Sequence, residues 1–396
     1  MKRRDFVKQT SLASGLFFVP SFIQAFDGIV GAAKGYRRLV IIQLSGGNDG
    51  LNTIIPYRND IYYRNRPKIA IQRNTQLRID GELAMHQNLT PLKRLYDNGY
   101  VCILNNVGYP NPDRSHFRSM DIWQTASHSH EYLSSGWLGR YLDRHGDEPY
   151  NGIEISDKLS LALTGDKSSG IATNNAGRLY RTAQDPYLKL LIKHHRDEHL
   201  SEHNLGYLYK TLIQAESSAE YIYETTRKGR SYQRYTNDSF GKQLKTMAEF
   251  INSGIQTKVF YTSHEGYDTH AGQLKTQPRL LNVFSKNLEA FVNDLQKGGS
   301  FDDTLIMVFS EFGRRVRQNA ANGTDHGAAN NVFIVGKNLK KNGIYNGLDD
   351  LRRLDANGDI RYEIDFRSIY STILRNWLGV QDELILNDQF EYLDFI

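Results

Sequence analysis

The chain carries two acid–imidazole pairs in short glycine-punctuated stretches: Asp268 and His270 in GYDTH, and Asp325-His326 in GTDHG. Carboxylate oxygens neutralise a divalent cation and imidazole nitrogens add directional bonds, so such pairs suit a hard or borderline metal ion. One residue separates Asp268 from His270, a spacing at which a curved loop brings both to one ion. Glu311 ends the apolar run of TLIMVFSEFGR, and Asp49 follows two glycines in SGGNDG. Alone, Asp49 reads as a turn carboxylate that accepts backbone N–H bonds before it reads as a ligand. A fifth stretch, Asp113-Arg114-Ser115-His116, precedes a helical pattern. Ser115 there is either a helix N-cap or a nucleophile at an anion-binding helix start, with Arg114, His116 and Arg118 beside it. The mixed donor set accommodates zinc, calcium or manganese alike.

These residues need elements that deliver them to one place. Continuous apolar runs at Arg37–Leu44, Tyr100–Val107, Lys258–Thr262, Thr304–Ser310 and Asn331–Val335 read as strands buried on both faces of a parallel sheet. Helical periodicity lies between and after them, at Leu89–Tyr96, Phe117–Ala126, Tyr187–His195, Leu205–Arg227, Phe240–Asn252, Gly272–Gln296 and Arg367–Leu378. The alternation predicts a doubly wound, mostly parallel α/β sheet with helices on both faces, whose ligands gather at the carboxyl ends of the strands. The segment from about residue 151 to 235 lacks such apolar runs and reads as a helical insertion, with tyrosines from Tyr207 to Tyr235 that suit a partner-binding surface. Asp355-Ala-Asn-Gly-Asp359 has its glycine too early for a calcium loop and reads as a polar hairpin turn. His86, His128, His130 and His264 have no assigned role, and His194, His195, His199 and His203 sit on a charged stretch that reads as a solvated face.

Of the formal net charge of +5, residues 1–25 carry +3 (Lys2, Arg3, Arg4 and Lys8 against Asp5), which leaves +2 for the remainder. That balance gives no reason to expect a nucleic-acid partner. A single cysteine, Cys102, excludes an intrachain disulfide, and no haem or dinucleotide fingerprint marks a redox enzyme. The basic start, followed by an uncharged stretch from Gln9 to Phe26, resembles a twin-arginine export signal, with an ordinary secretory signal or an uncleaved anchor as alternatives. Small residues allow cleavage after Ala25 or Ala33, so residues 1–33 are assigned to the signal and linker and 34–396 to one α/β domain. Periplasm or cell surface is the expected location, with no transmembrane helix expected in the mature chain.

In order along the chain, LSGGNDGLNT, GYPNPDRSHF, GYDTH, SEFGR and GTDHG resemble the bacterial domain of unknown function 1501 family, itself similar to the alkaline phosphatase and sulfatase superfamily. That resemblance implies Asp49 as a first-strand metal ligand, Ser115 as the nucleophile, and Asp268, His270 and His326 around one divalent metal. It places Glu311 in an acid–histidine pair whose second member is here Phe312, which cannot bind a metal. Asp325-His326 either supplies the missing pair or leaves a second site incomplete. The implied activity is hydrolysis of a phosphate or sulfate ester in an anionic small-molecule or polymer substrate. A dedicated exported protein partner is implied by the resemblance alone.

Overall fold

In the computed structural model, residues 36–194, 203–348 and 350–396 are described. The leader, with His195 and His199, lies outside them. The described residues form a nine-stranded sheet from β1 (Arg38–Ser45), β2 (Val101–Gly108), β3 (Gly152–Glu154), β4 (Ile171–Ala172), β5 (Val259–Glu265), β6 (Thr304–Phe309), β7 (Asn330–Val335), β8 (Gly343–Ile344) and β9 (Ile364–Asp365). Its order is β8-β2-β7-β6-β1-β5-β3-β4, and β9 also pairs with β2. The expected mostly parallel sheet is the one observed, except that β7 runs antiparallel to both β2 and β6.

Alternate residues of β1 explain why its apolar run is unbroken. Val40, Ile42 and Leu44 pack on one side with Phe240, Leu288 and Phe291, from the helices Ser239–Asn252 and Gln273–Gly298. Leu39 and Ile41 face the other side, with Trp123 from the helix His116–Thr125 and Tyr370 from Phe366–Thr372. The Trp123 ring stacks on Phe309 and Phe366, with centroids 4.6 and 4.3 Å away. Each such side chain, fully buried, contributes roughly 1.5–3 kcal/mol. Two covered faces thus fix the sheet as a rigid frame, and its strand ends become the places where polar loops emerge.

Two sequence expectations need correction. The stretch from about 151 to 235 is not purely helical: β3 and β4 add two short parallel strands to the sheet before helices begin at Ala176. Strands of three and two residues carry no readable periodicity. The tyrosines of that segment also turn partly inward, with Tyr221 against Tyr150 and Tyr223 stacked on Tyr180 at centroid distances of 4.1 and 4.5 Å. The helix from Phe366 ends at Thr372 and widens into a π-helical turn over Ile373–Trp377. The Asp355–Asp359 stretch is the polar hairpin turn expected, Asp355 Oδ1 accepting from the N–H groups of Asn357 and Asp359.

Candidate metal centre

Loops after β1, β2, β5 and β6 meet at one lip of the sheet. Because β7 is antiparallel, its beginning lies at that same lip, so the loop leading into β7 delivers Asp325-His326 there too. Arg314 fastens three of these loops together. Its guanidinium, buried, donates to the carbonyls of Gly46, Gly47 and Thr324 at 2.6–2.8 Å and to Asp268 Oδ1 at 2.6 Å. Gly47 lies at φ 67°, and a Cβ there would sit 2.3 Å from the Phe312 ring, so only glycine admits this close packing.

Three imidazoles converge on Asp268, and each has one ring nitrogen tied to an oxygen. His116 Nδ1 is 2.8 Å from Glu311 Oε1, His326 Nδ1 is 2.7 Å from the Arg114 carbonyl, and His270 Nδ1 is 3.3 Å from Asp325 Oδ1. Since a carbonyl only accepts, His326 carries a proton on Nδ1, and its Nε2 faces Asp268 Oδ1, 3.3 Å away. Nε2 of His270 is 3.1 Å from the same oxygen and 2.8 Å from Nε2 of His326. Nε2 of His116 lies 3.6 Å from Asp268 Oδ2 and is buried without a hydrogen-bond partner. One ligand atom each from His116, Asp268 and His326 fall within 4.8 Å of one another. Ligands about 2.1 Å from a tetrahedral ion stand about 3.4 Å apart, so a small inward adjustment of His116 accommodates a cation.

The remaining bonds are those that hold metal-ligating histidines. A carboxylate or carbonyl on the far nitrogen fixes the tautomer and raises basicity at the near one. Here Glu311, buried at the end of β6, does this for His116 while its Oε1 also accepts from Gly46 N–H at 2.8 Å. That hydrogen bond raises the His116 pKa above the ordinary imidazole range, against the opposing effect of burial. Burial lowers that of His326. Burial would raise the Asp268 carboxyl, but Arg314 and His326 outweigh it and hold it below the usual carboxylate range. The Asp325 carboxyl is also lowered, first by the hydrogen bond from Asn319.

The sequence-derived candidates therefore divide. Asp268, His270 and His326 face the centre, Asp325 supports His270, and Glu311 supports His116. Asp49 stands apart as a fully buried ion pair, with Arg66 donating to its Oδ2 at 2.5 Å and to its Oδ1 at 3.0 Å, and Gln273 donating to Oδ2 as well. Both of its oxygens are occupied by guanidinium and amide, which explains a burial that the loop sequence did not reveal. Arg66, placed by the helix Asp60–Asn65, has no sequence signal of its own.

Ser115 begins the helix His116–Thr125 as its N-cap, yet its hydroxyl makes no capping bond and the residue is exposed. It stands between Arg114, whose carbonyl holds His326, and His116 itself. Arg114 and Arg118, and Arg314 nearby, are all engaged. Arg114 pairs with Asp359, Arg118 donates to the carbonyls of His128, Ser129 and Glu131, and Arg314 is buried as described. Phe312 lies against His116 and His326, with ring centroids 4.8 and 4.6 Å away, and walls off the side where its acid-pair position would bring a second ligand. His86, His128 and His264 are engaged elsewhere in the fold. His86 accepts from Asn88 N–H, His128 bridges Asp388 and Arg367, and His264 stacks on Phe240.

The sequence matches the family described as "Protein of unknown function (DUF1501)" over residues 99–387. The chain belongs to the DUF1501 family. No curated protein matches this DUF1501 chain. It is similar to the lipoteichoic acid synthase LtaP from Listeria monocytogenes, with TM-score 0.41 and 11% identity, over 90% of this chain and 77% of that one. It is also similar to the C-terminal periplasmic domain of EptC from Escherichia coli in complex with Zn, with TM-score 0.40 and 11% identity over 76% and 72% of the two chains. For the PsFucS1 sulfatase from Pseudoalteromonas sp., the TM-score is 0.40 at 14% identity, over 90% and 70%.

Proposed function

We propose that this DUF1501 chain is an exported, metal-dependent hydrolase of a phosphate or sulfate ester, with Ser115 as its nucleophile. The observation that carries the reading is the convergence of three oriented imidazoles on Asp268 beside an uncapped, exposed serine. His116, Asp268 and His326 would hold the ion, with His270 alongside, and Glu311 and Asp325 behind them. When bound there, a divalent cation supplies Lewis acidity and charge neutralisation at the reacting ester.

The chain's own groups define the rest. Ser115 Oγ, giving up its proton, forms the new bond to phosphorus or sulfur as the bond to the ester oxygen breaks and the leaving alcohol takes up a proton; water then cleaves the seryl ester, releasing phosphate or sulfate and restoring the serine hydroxyl. With Arg114, Arg118 and Arg314 engaged elsewhere, the substrate's anionic oxygens fall to the first-turn N–H groups of the Ser115 helix, which lack intrahelical partners. Phe312 and the guanidinium on Asp49 favour one ion per chain rather than two. The reading includes twin-arginine export to the periplasm or cell surface, supported by the basic leader, and an anionic small molecule or polymer as substrate.

The test is elemental analysis of protein exported by its native route, joined to hydrolysis of aryl phosphates, phosphodiesters and aryl sulfates. The wild type should retain about one ion per chain and Asp268→Ala should lose it. Ser115→Ala should keep the ion and its stability, within about 0.5 kcal/mol, but lose turnover by orders of magnitude. Absence of both metal and hydrolysis in the wild type would overturn the reading.

A second reading rests on the engaged arginines and on Phe312: a binding or assembly protein of the cell surface that keeps the fold without turnover and docks a dedicated exported partner. Ser115→Ala then behaves as wild type, and a partner co-purifies with both.

A further inference from the structure

We propose that Asp359, in the polar turn before β9, is a positioning residue for the metal centre: a buried clamp that ties the loop carrying Ser115 and His116 to the loop carrying His326. The proposal rests on the ligand set proposed above. Asp359 is completely buried, although the other members of its turn, residues 355–358, are exposed or half-buried. Its Oδ2 accepts from Arg114 through Nε at 2.9 Å and through Nη2. On its other side, Oδ1 stands 3.5 Å from Nε of Arg315, and these two buried atoms have no other partner. The turn is itself fastened, since Asp355 Oδ1 accepts from Asp359 N–H at 2.9 Å and Asp355 N–H donates to the Asp359 carbonyl at 2.9 Å.

Both arginines lead directly to the centre. The carbonyl of Arg114 is the acceptor that holds His326 Nδ1 at 2.7 Å, and the next residues are Ser115 and His116. Arg315 follows Arg314, which binds Asp268, and the Arg315 N–H donates to the Asp325 carbonyl at 3.0 Å. A single carboxylate thus gathers the guanidinium groups of two loops whose backbones set the tautomer and direction of His326. If Asp359 releases Arg114, the Arg114 carbonyl is free to turn, and His326 loses the bond that aims Nε2 at Asp268.

The experiment measures zinc affinity by competition with a chromophoric chelator, beside the thermal midpoint of chelator-treated protein, for the wild type, Asp359→Asn, Arg114→Gln and the double variant. A clamp predicts zinc affinity about 10–100-fold lower in each single variant, and a double variant no weaker than the worse single one. Folded Asp359→Asn protein that binds zinc as tightly as wild type, with only its midpoint lowered, overturns the clamp in favour of a merely structural turn. Should Asp359→Asn not fold, Arg114→Gln with wild-type affinity has the same force. A wild type that takes up no zinc instead overturns the ligand set on which the clamp depends.

Discussion

His116 illustrates how a single hydrogen bond would set the behaviour of a candidate ligand. Its bond to Glu311 raises its pKa, so its proton competes with a metal at higher pH than an ordinary imidazole, near 6.5, would allow. In metal-free protein the sign is opposite. The raised pKa means that the His116–Glu311 pair stabilises the fold below the ordinary imidazole range, and this contribution is lost as pH rises through the raised value. Zinc affinity should therefore climb between about pH 5.5 and about pH 8.5 while metal-free stability declines slightly, as chelator competition and thermal unfolding across that range would reveal. An affinity flat across the range would dismiss His116 as a ligand. Asp268, His270, Glu311 and His326 could be read from the sequence because their residue types follow apolar runs and glycines. The division of labour among them could not, since it depends on which ring nitrogen of an imidazole each carboxylate meets in the fold, Nδ1 of His116 for Glu311 and Nε2 for Asp268.

Single strands and loops decide which carboxylates are free. Asp49 follows β1 as Asp268 follows β5, yet Arg66 and Gln273 occupy one of these carboxylates and leave the other facing the centre. Removing one partner of a fully buried pair leaves an uncompensated charge. Arg66→Ala should accordingly cost about 3–5 kcal/mol in denaturant unfolding, with the metal content unchanged by elemental analysis. Retained stability with metal lost would instead return Asp49 to the ligand set. The long elements were legible because their apolar periods are long: the helix expected over Gly272–Gln296 is observed as Gln273–Gly298. The direction of β7 was not, because a strand buried on both faces reads the same whichever way it runs. Even so, its reversal is what brings His326 to the lip.

For the molecule as a whole, the two covered faces of the sheet account for the mostly parallel architecture, and burial of the single cysteine pushes the Cys102 thiol up to about 12, away from the thiolate form. No helix among the described residues is long and apolar enough to cross a membrane. If the leader acts as a twin-arginine signal, changing Arg3 and Arg4 together to lysine should hold the folded protein inside the cell, as fractionation and immunoblotting would record. Unimpaired export of that variant would point to the ordinary secretory route. The architecture also sets an order of events during synthesis. His116 leaves the chain after β2, and His326 enters just before β7, which pairs with β2. The two imidazoles become neighbours when strands from opposite halves of the polypeptide have zipped together, so a ribosome-bound fragment ending short of β7 has no cradle to fill. On the proposed ligand set, a cation can be gripped only once that distant strand has joined the sheet.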